Sequence, residues 1–201
     1  IQIKISTSHK NINYIWCPQM NFYEKILHVI NNTNAQFYAL TPDDDFFKES
    51  SLEECYNVLK KDNTYSLGTG GQIFFSKKFN GELKIFPKMN KLKGKQLKSN
   101  KYTNAQIFWR NYQNILWSIF QRETILKGFQ SLTHNHFNNA NFIEFTLGFE
   151  AIKNGNIYVS DKNLNFRELS ETEHWGTQIE SITRFNILTN RELKEDIKKF
   201  K

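Results

Sequence analysis

The sequence predicts an α/β fold in which a mixed, mainly parallel sheet is flanked by helices and carries a β-hairpin insertion. Near the N-terminus, Ile12 to Cys17 and Phe37 to Thr41 are strand-like runs on either side of a helical one. A strand–helix–strand order of this kind favours a parallel βαβ unit with a right-handed crossover. Further on, Asn80-Gly81 lies between two apolar runs and is the strongest short signal for a hairpin.

Length and composition indicate one globular domain that spans residues 1–201. A chain of 201 residues with 18 phenylalanines and 15% aromatic residues can build a packed core, which argues against disorder. No apolar run approaches the roughly 20 residues needed to cross a bilayer. The two cysteines, Cys17 and Cys55, give neither a disulfide framework nor a metal-ligand cluster, so we expect a reduced, cytoplasmic setting.

In the first half of the chain, turn and cap signals separate the expected elements. Ile1 to Ile5 should form a strand, and the helix over Phe22 to Ile30 should end at the cluster Asn31 to Asn34. Ser50 and Glu53 have the spacing of a capping box at the start of a second helix. The side of that helix expected to be buried carries Leu52, Cys55, Tyr56 and Leu59.

The second half of the chain is expected to contain both strands and helices. Tyr65 to Gly71 is glycine-rich, which allows a strand to bend or to approach a neighbour closely. The other expected strands are Ile73 to Phe79, Glu82 to Phe86, Ile115 to Phe120 and Asn156 to Ser160. The expected helices are Ala105 to Tyr112, Thr124 to Phe129, Asn141 to Asn154 and a last one from about Thr189. Phe166 to Trp175 should be a polar loop.

A lysine-rich segment, residues 88–101, is expected to form a loop within the domain. It has lysines at positions 88, 91, 93, 95, 98 and 101 and no acidic residue, in a chain of net charge +7. Such a segment can attract nucleic acid or an anionic membrane, or it can be a solvated loop. Because only Tyr102 is placed to stack on a base, a membrane surface or a phosphate-rich ligand is favoured over nucleic acid. The expected localisation is cytoplasmic, either free or peripheral at the inner face of the membrane.

The central motif of the sequence is Asp43-Asp44-Asp45, which follows an apolar strand and Pro42. Proline cannot donate to a sheet ladder, so the carboxylates should lie just past the carboxyl end of the strand, where α/β sheets bind ligands. Adjacent carboxylates repel one another unless a cation neutralises them, and Mg²⁺ or Mn²⁺ bridges carboxylates to substrate phosphates. The alternative is a solvated turn whose acids favour the N-terminus of the next helix. The sequence leaves both interpretations open.

The order of these segments resembles nucleotide-sugar-dependent glycosyltransferases of the GT-A fold, above all bacterial family-2-like enzymes with an Asp-Asp-Asp-Phe metal motif. The matching stretches are short and spread over most of the chain: Phe37 to Phe47, Asn141 to Ser160, Phe166 to Leu169 and His174-Trp175. GT-A domains usually open with a strand and a helix that bind the nucleotide base. This chain begins about one βα unit later, with Ile1 to Ser8 in the place of the second strand.

The resemblance implies a metal-dependent glycosyltransferase of surface-glycan assembly. It would move a sugar, with inversion, from a nucleotide-sugar donor to a hydroxyl of a glycan or another acceptor. By the family's Asp-x-Asp motif, one of Asp43 and Asp45 would hold the donor's ribose or the water shell of the metal. The other would ligate a Mn²⁺ or Mg²⁺ ion against the donor diphosphate, and Asp44 is the second candidate for either role. His174 would complete the metal site, or it is an ordinary histidine of a polar loop. The ion would act as a Lewis acid for the departing nucleoside diphosphate.

Glu144 matches the position of the family's catalytic base, which takes the proton of the acceptor hydroxyl. The acid that usually precedes this base is replaced by Ile143. Glu144 could instead form a capping pair with Asn141 at the start of the helix. Arg167 could bind a donor phosphate, or it could form an ion pair with Glu168.

Three residues are candidates for binding the acceptor: Trp109, Arg110 and Trp175. Tryptophan can pack on the face of a sugar, although it is also often simply buried. The same resemblance leaves a second interpretation, a catalytically inactive GT-A-like module that binds nucleotide-sugar or glycan.

Overall fold

The computed structural model describes residues 13–77, 81–86, 90–95, 97–137, 141–169 and 194–200. The helices are α1 (Phe22–Asn31), α2 (Glu49–Lys61), α3 (Lys101–Arg110), α4 (Arg122–Asn135), α5 (Asn141–Asn154) and α6 (Lys194–Phe200). The strands are β1 (Phe37–Ala39), β2 (Phe46–Phe47), β3 (Tyr65–Lys77), β4 (Leu83–Ile85), β5 (Ile119–Gln121) and β6 (Asn156–Glu168). None of the helices in the described residues combines the length and apolar character that a membrane crossing requires. The segment expected to begin the fold, Ile1 to Ser8, lies outside the described residues.

The sheet is mixed but mainly antiparallel, which corrects the expectation of a mainly parallel sheet. Its strand order is β1-β5-β3-β6-β2, and β4 pairs with β3 off this path. Of the five strand pairings in the described residues, only that of β3 with β6 is parallel. Residues 13–17 form no strand, so the expected strand over Ile12 to Cys17 is wrong for this part, and β1 pairs antiparallel with β5. Strand direction depends on partners that are distant in sequence, which a local pattern does not reveal.

Local sequence signals place two helices correctly. The side chain of Asn21 accepts from the backbone N–H of Glu24 at 3.0 Å, and Glu24 accepts from the backbone N–H of Asn21 at 2.9 Å, which caps α1. This helix ends within the expected asparagine cluster, with Asn32 as its C-cap. The bounds of α5 are the expected ones, and Gly155 follows its last residue.

Three other elements differ from the expectation. The N-cap of α2 is Lys48, so Ser50 lies inside the helix and the expected capping box does not form. The strand expected over Ile115 to Phe120 is reduced to β5, because the residues before it belong to a connection that side chains fasten to β3 and β6. Conversely, β6 continues to Glu168 and takes in the start of the expected polar loop.

Helices cover both faces of the sheet. Successive side chains of a strand point to opposite faces. Accordingly, Ile119 packs with Cys55 and Leu59 of α2, whereas Phe120 packs into the larger core together with α4 and α5. Cys55 is fully buried, and burial raises the pKa of its thiol to about 12, which confirms it as a core cysteine.

The expected hairpin is formed by β3 and β4. Phe75 pairs with Ile85 and Lys77 pairs with Leu83. Gly81, in the connection between the strands, has a φ of 84°, a conformation that glycine adopts without steric cost.

The lysine-rich segment is a loop whose leucines and lysines are segregated. Leu92 and Leu97 are buried in the core, and Leu97 forms an isolated bridge with Ile157 of β6. The lysines of this segment that the structure describes are exposed. The leucines therefore fix the loop to the domain while the positive charges face the solvent.

Glu54 joins α2 to β6 through three contacts of its carboxylate. It accepts from the hydroxyls of Ser160 at 2.6 Å and Tyr158 at 2.9 Å, and its ion pair with Lys162 is 2.6 Å long. Burial alone would raise the pKa of Glu54, but the hydrogen bonds from these partners together lower it. A carboxyl whose pKa is lowered by folding stabilises the fold above its unfolded-state pKa and loses this effect as the pH falls.

Glu54→Gln should lower the free energy of unfolding at pH 7 by about 1–3 kcal/mol, because hydrogen bonds to a charged group are lost. The difference from the wild type should shrink below about pH 4, where the carboxyl becomes protonated. Urea denaturation at pH 3, 5 and 7 measures both effects. Glu53→Gln, at an exposed position of the same helix, should change stability by less than about 0.5 kcal/mol. Equal losses in the two variants would contradict the role of Glu54.

Gly68→Ala should lower the free energy of unfolding by about 1–3 kcal/mol through overpacking. A Cβ at this position would lie 2.9 Å from Cβ of Cys55 and 3.1 Å from Cγ2 of Ile119, so α2 or β5 would have to shift. Chemical denaturation provides the measurement. Lys77→Ala, at the exposed end of the same strand, is the control and should stay within about 0.5 kcal/mol of the wild type. Wild-type stability of Gly68→Ala would show that this close approach is not required.

Candidate functional site

The candidate site lies where β3 and β6 continue past the end of β5. The described pairing of β5 with β3 is limited to Leu67 and Gly68, whereas β3 remains paired with β6 as far as Phe75 and Glu168. Residues 111–118, called here the 111–118 loop, connect α3 to β5 and lie beside this extension.

Buried amide side chains fasten the 111–118 loop to the two long strands. Gln72 of β3 donates to the carbonyl oxygen of Asn114 at 2.7 Å, and Asn165 of β6 donates to that of Trp117 at 2.8 Å. From within the loop, Gln113 donates to a carbonyl oxygen of β3 at 2.7 Å. These bonds satisfy backbone groups that a buried loop would otherwise leave unpaired.

Glu144 lies in the first turn of α5, and the 111–118 loop holds its carboxylate. The hydroxyl of Tyr112 donates to Oε2 and the amide of Asn114 donates to Oε1. The carboxylate therefore makes contacts beyond its own helix, while the side chain of Asn141, its partner in the alternative capping pair, lies outside what the structure describes.

The carboxyl of Glu144 is buried and has a raised pKa. Burial raises its pKa, whereas the hydrogen bonds from Tyr112 and Asn114 and the positive charge of Arg167 act in the opposite direction. Burial also raises the pKa of Tyr112, and the adjacent carboxylate adds to this, so the phenol remains a neutral donor. A buried acid with a perturbed pKa is typical of functional sites, because raising the pKa strengthens the conjugate base.

The last acid of the Asp-Asp-Asp motif is turned inward. The side chain of Asp45 is 5% exposed, and its Oδ2 accepts from Nε of Arg167 at 3.1 Å. Its Oδ1 accepts from the backbone N–H of Glu168 at 2.9 Å. Burial raises the pKa of Asp45, and these two contacts oppose that shift. Arg167 thus forms its ion pair with Asp45, and the expected alternative of a pair with Glu168 is wrong.

Arg167 acts on both acidic groups, through a hydrogen bond to Asp45 and through its charge on Glu144. The guanidinium carbon lies 5.6 Å from the ring centroids of both Phe74 and Trp117, so aromatic faces flank the charge. The same charge lowers the pKa of Glu144. Three residues predicted from separate segments, Asp45, Glu144 and Arg167, therefore form one cluster with the 111–118 loop.

The other two acids of the motif remain at the surface. Asp43 and Asp44 are exposed in the turn that precedes β2. Among the residues that the structure describes, no three His, Cys, Asp or Glu side chains are grouped so that they could hold a metal ion. Mg²⁺, however, is often held by one or two carboxylates while water and substrate phosphates complete its shell. The carboxylates of Asp43 and Asp44 are exposed and could take up such a role, whereas both oxygens of Asp45 are engaged by protein groups.

The remaining candidate residues are only partly described. Trp109 packs against Phe145, the neighbour of Glu144, with 5.3 Å between ring centroids, and Arg110 is exposed at the end of α3. Binding of the acceptor by these two residues stays a prediction. His174 and Trp175 lie outside the described residues.

Several site residues were missed by the sequence analysis. Tyr112 was assigned to the end of a helix, and Gln113 and Asn114 were given no role. The available signal was the polar run from Asn111 to Asn114 between an apolar helix and an apolar strand. In a chain with a large core, such a run must either face water or form specific buried contacts, and here it forms the contacts to Glu144 and β3.

Some buried polar atoms of the cluster have no hydrogen-bond partner in the described part of the chain. They are Oε1 of Gln72, Oδ1 of Asn165 and Nε1 of Trp117. Unpaired buried polar atoms are rare in folded proteins. The two amide oxygens could accept from a hydroxyl or an N–H group, and the indole N–H could donate to an oxygen.

A comparison with protein-family models gave no match, and no curated protein matches the sequence. What the cluster can do therefore follows from its own contacts, burial and charges.

Glu144→Gln should raise the free energy of unfolding at neutral pH by about 0.5–2 kcal/mol, because the neutral amide removes the need to bury a charge. Since folding raises the pKa of Glu144, the unfolded state ionises first as the pH increases, and the wild type loses stability above about pH 4. The gain of the variant should be smallest near pH 4 and grow towards pH 7 in urea denaturation. Glu53→Gln is again the control, and a variant less stable than the wild type at pH 7 would contradict this account.

Proposed function

We propose that the protein is a glycosyltransferase that moves a sugar from a nucleotide-sugar donor to a hydroxyl of a glycan or related acceptor. The observation that carries the proposal is the cluster of Asp45, Glu144 and Arg167, which come from the turn before β2, the first turn of α5 and the end of β6. The cluster combines the buried carboxylate of Glu144, which can act as a base, with the guanidinium of Arg167, which can bind phosphate oxygens. The resemblance of the acidic motif and of the Glu144 segment to GT-A enzymes supports the same assignment.

Glu144 is the general base of the proposed reaction. The acceptor oxygen attacks the anomeric carbon of the donor sugar while its proton moves to the carboxylate of Glu144. The bond between the anomeric carbon and the diphosphate oxygen breaks, and the nucleoside diphosphate leaves with the electron pair. Tyr112 and Asn114 hold the carboxylate in one orientation. Attack from the side opposite to the leaving group inverts the anomeric centre.

Arg167 binds the diphosphate in this proposal. Guanidinium groups pair with phosphate through two parallel N–H donors. Nε of Arg167 is used by Asp45, and within the described residues its two terminal nitrogens have no hydrogen-bond partner. Because negative charge grows on the leaving oxygens in the transition state, a cation fixed beside them lowers the barrier.

A Mn²⁺ or Mg²⁺ ion would supply Lewis-acid stabilisation of the same leaving group. Asp43 and Asp44 would hold it, since their carboxylates are exposed beside the cluster. Phosphate oxygens of the donor would complete its coordination.

A second candidate function is a catalytically inactive module that binds nucleotide-sugar or glycan. The observation in its favour is the engagement of Asp45, whose two oxygens are bound by Arg167 and by the backbone of Glu168. Such a module would bind a nucleoside diphosphate without releasing a product.

Glu144→Gln should reduce transferase turnover by about 100- to 10,000-fold, the usual effect of removing a general base. The assay measures release of nucleoside diphosphate from a panel of UDP-, GDP- and dTDP-sugars with Mn²⁺ and mixed glycan acceptors. Asp45→Ala should also lose activity, whereas Glu150→Gln on the same helix should retain it. Unchanged turnover in both Glu144→Gln and Asp45→Ala would remove the enzyme assignment. A thermal shift with nucleoside diphosphate and Mn²⁺, but no product from any donor, would favour the binding module.

A further inference from the structure

A cavity of about 200 Å³ lies between the lysine-rich segment and the first half of β6. Its lining consists of Gly94, Lys95, Leu97 and Lys98 from the segment and Ile157, Tyr158, Val159 and Asp161 from the strand. The cluster around Glu144 contributes no residue to this lining, so the cavity is not part of the candidate site.

The segment that forms one wall of the cavity is fixed to the domain at several points. Leu92 and Leu97 are buried, and the backbone N–H of Ile157 donates to the carbonyl oxygen of Leu97 at 3.1 Å. The side chain of Asn90 donates to the carbonyl oxygen of Ser160 at 3.2 Å. The lysines are therefore carried by a loop that is already held in place, which reduces the entropic cost of binding a ligand.

The charge at the cavity is positive. Lys95 and Lys98 line it, and the acid in its lining, Asp161, has Nζ of Lys93 4.0 Å from its carboxylate. Lys98 lies against the ring of Tyr65, with 5.1 Å between Nζ and the ring centroid. Lys95 has no ion pair with any described residue. Lys93 offsets the charge of Asp161, so the charges of Lys95 and Lys98 remain for a bound anion.

Two other acids act on lysines near the cavity without cancelling this charge. Glu54 is bound by Lys162 at 2.6 Å and by two hydroxyl groups. Asp62 acts on Lys98 through its charge, while its Oδ1 accepts from the hydroxyl of Thr64 at 2.7 Å. Neither acid lines the cavity.

We infer that this cavity binds a phosphate monoester. A lysine ammonium binds phosphate as a point charge. A phosphate monoester carries a charge of about −1.5 to −2 at neutral pH, which matches two lysines better than a carboxylate or a phosphodiester does. Because the lysines are exposed, the monoester can belong to a lipid headgroup or to a soluble molecule. The inference goes beyond the proposed function, since binding here requires neither Glu144 nor Arg167.

The test is an NMR titration of the ¹⁵N-labelled full chain with glycerol 3-phosphate, and glycerol serves as the neutral ligand control. Amide signals of the cavity lining, such as those of Gly94 and Val159, should shift with glycerol 3-phosphate only. Lys95→Gln and Lys98→Gln should each weaken binding about fivefold, because each removes one positive charge beside the ligand. Asp161→Asn should strengthen binding by up to about fivefold, a gain that a damaged fold would not produce.

Lys101→Gln is the matched control, because it removes the same charge from the same segment at an exposed position outside the cavity lining. It should change the affinity by less than about twofold, since exposed charges are screened by solvent and salt. Arg167→Gln removes the phosphate-binding cation of the proposed active site and should leave this affinity unchanged. Circular dichroism checks that each variant folds.

Vesicle sedimentation distinguishes the two sources of the monoester. Binding to phosphatidylcholine vesicles that contain phosphatidic acid, with competition by glycerol 3-phosphate, would support the site and assign it to a lipid headgroup. Binding of glycerol 3-phosphate without vesicle binding would support the site and assign it to a soluble ligand.

Three results would overturn the inference. The first is that neither glycerol 3-phosphate nor the vesicles bind. The second is that Lys101→Gln weakens binding as much as Lys95→Gln, which would indicate a diffuse charge effect. The third is binding of a single-stranded oligonucleotide without binding of glycerol 3-phosphate, which would assign the lysines to nucleic acid. Loss of binding in Arg167→Gln alone would place the phosphate at the proposed active site and would also overturn the cavity.

Discussion

The parallel pairing of β3 with β6 is the constraint on which the candidate site depends. These strands have 13 residues each, and they remain paired beyond the point where β5 ends. The extension supplies two of the amide side chains that hold the 111–118 loop, and it carries Arg167 close to its last residue. Because the two strands run side by side past β5, Gln72, Asn165 and Arg167 all contact the 111–118 loop.

The charges of the site are stabilised by each other and by neutral hydrogen-bond donors. Glu144 is surrounded by a phenol, an amide and, at longer range, a guanidinium, while Asp45 is bound directly by that same guanidinium. Burial of a carboxylate is unfavourable unless partners satisfy it. The buried polar cluster is therefore specific to one arrangement of the loop, and this arrangement links the shape of the fold to the position of the base.

Local patterns in the sequence located two helices and the β3–β4 hairpin, but they did not give the directions of the other strands. The asparagine-capped start of α1 and the glycine after α5 are signals within a few residues of the helix ends, and they located both helices. The directions of the strands and the length of β6 depend on partners far along the chain, so the predicted parallel βαβ unit was wrong for the described residues.

The candidate site was likewise predictable only in part. The sequence identified Asp45, Glu144 and Arg167 separately, but it treated the three acids alike, because the residue that distinguishes Asp45 lies 122 positions away. Tyr112 and Asn114 were missed since their importance arises only from contact with Glu144.

The buried thiol of Cys55 gives the protein a built-in reporter of its own opening. Only the thiolate attacks alkylating reagents and disulfides, and Cys55 is both inaccessible and held as a thiol between α2 and the sheet. Cys17 is partly accessible and precedes the first helix. Chemical labelling at Cys17 can proceed in the folded state, while labelling at Cys55 must wait for α2 to detach from the strands beneath it.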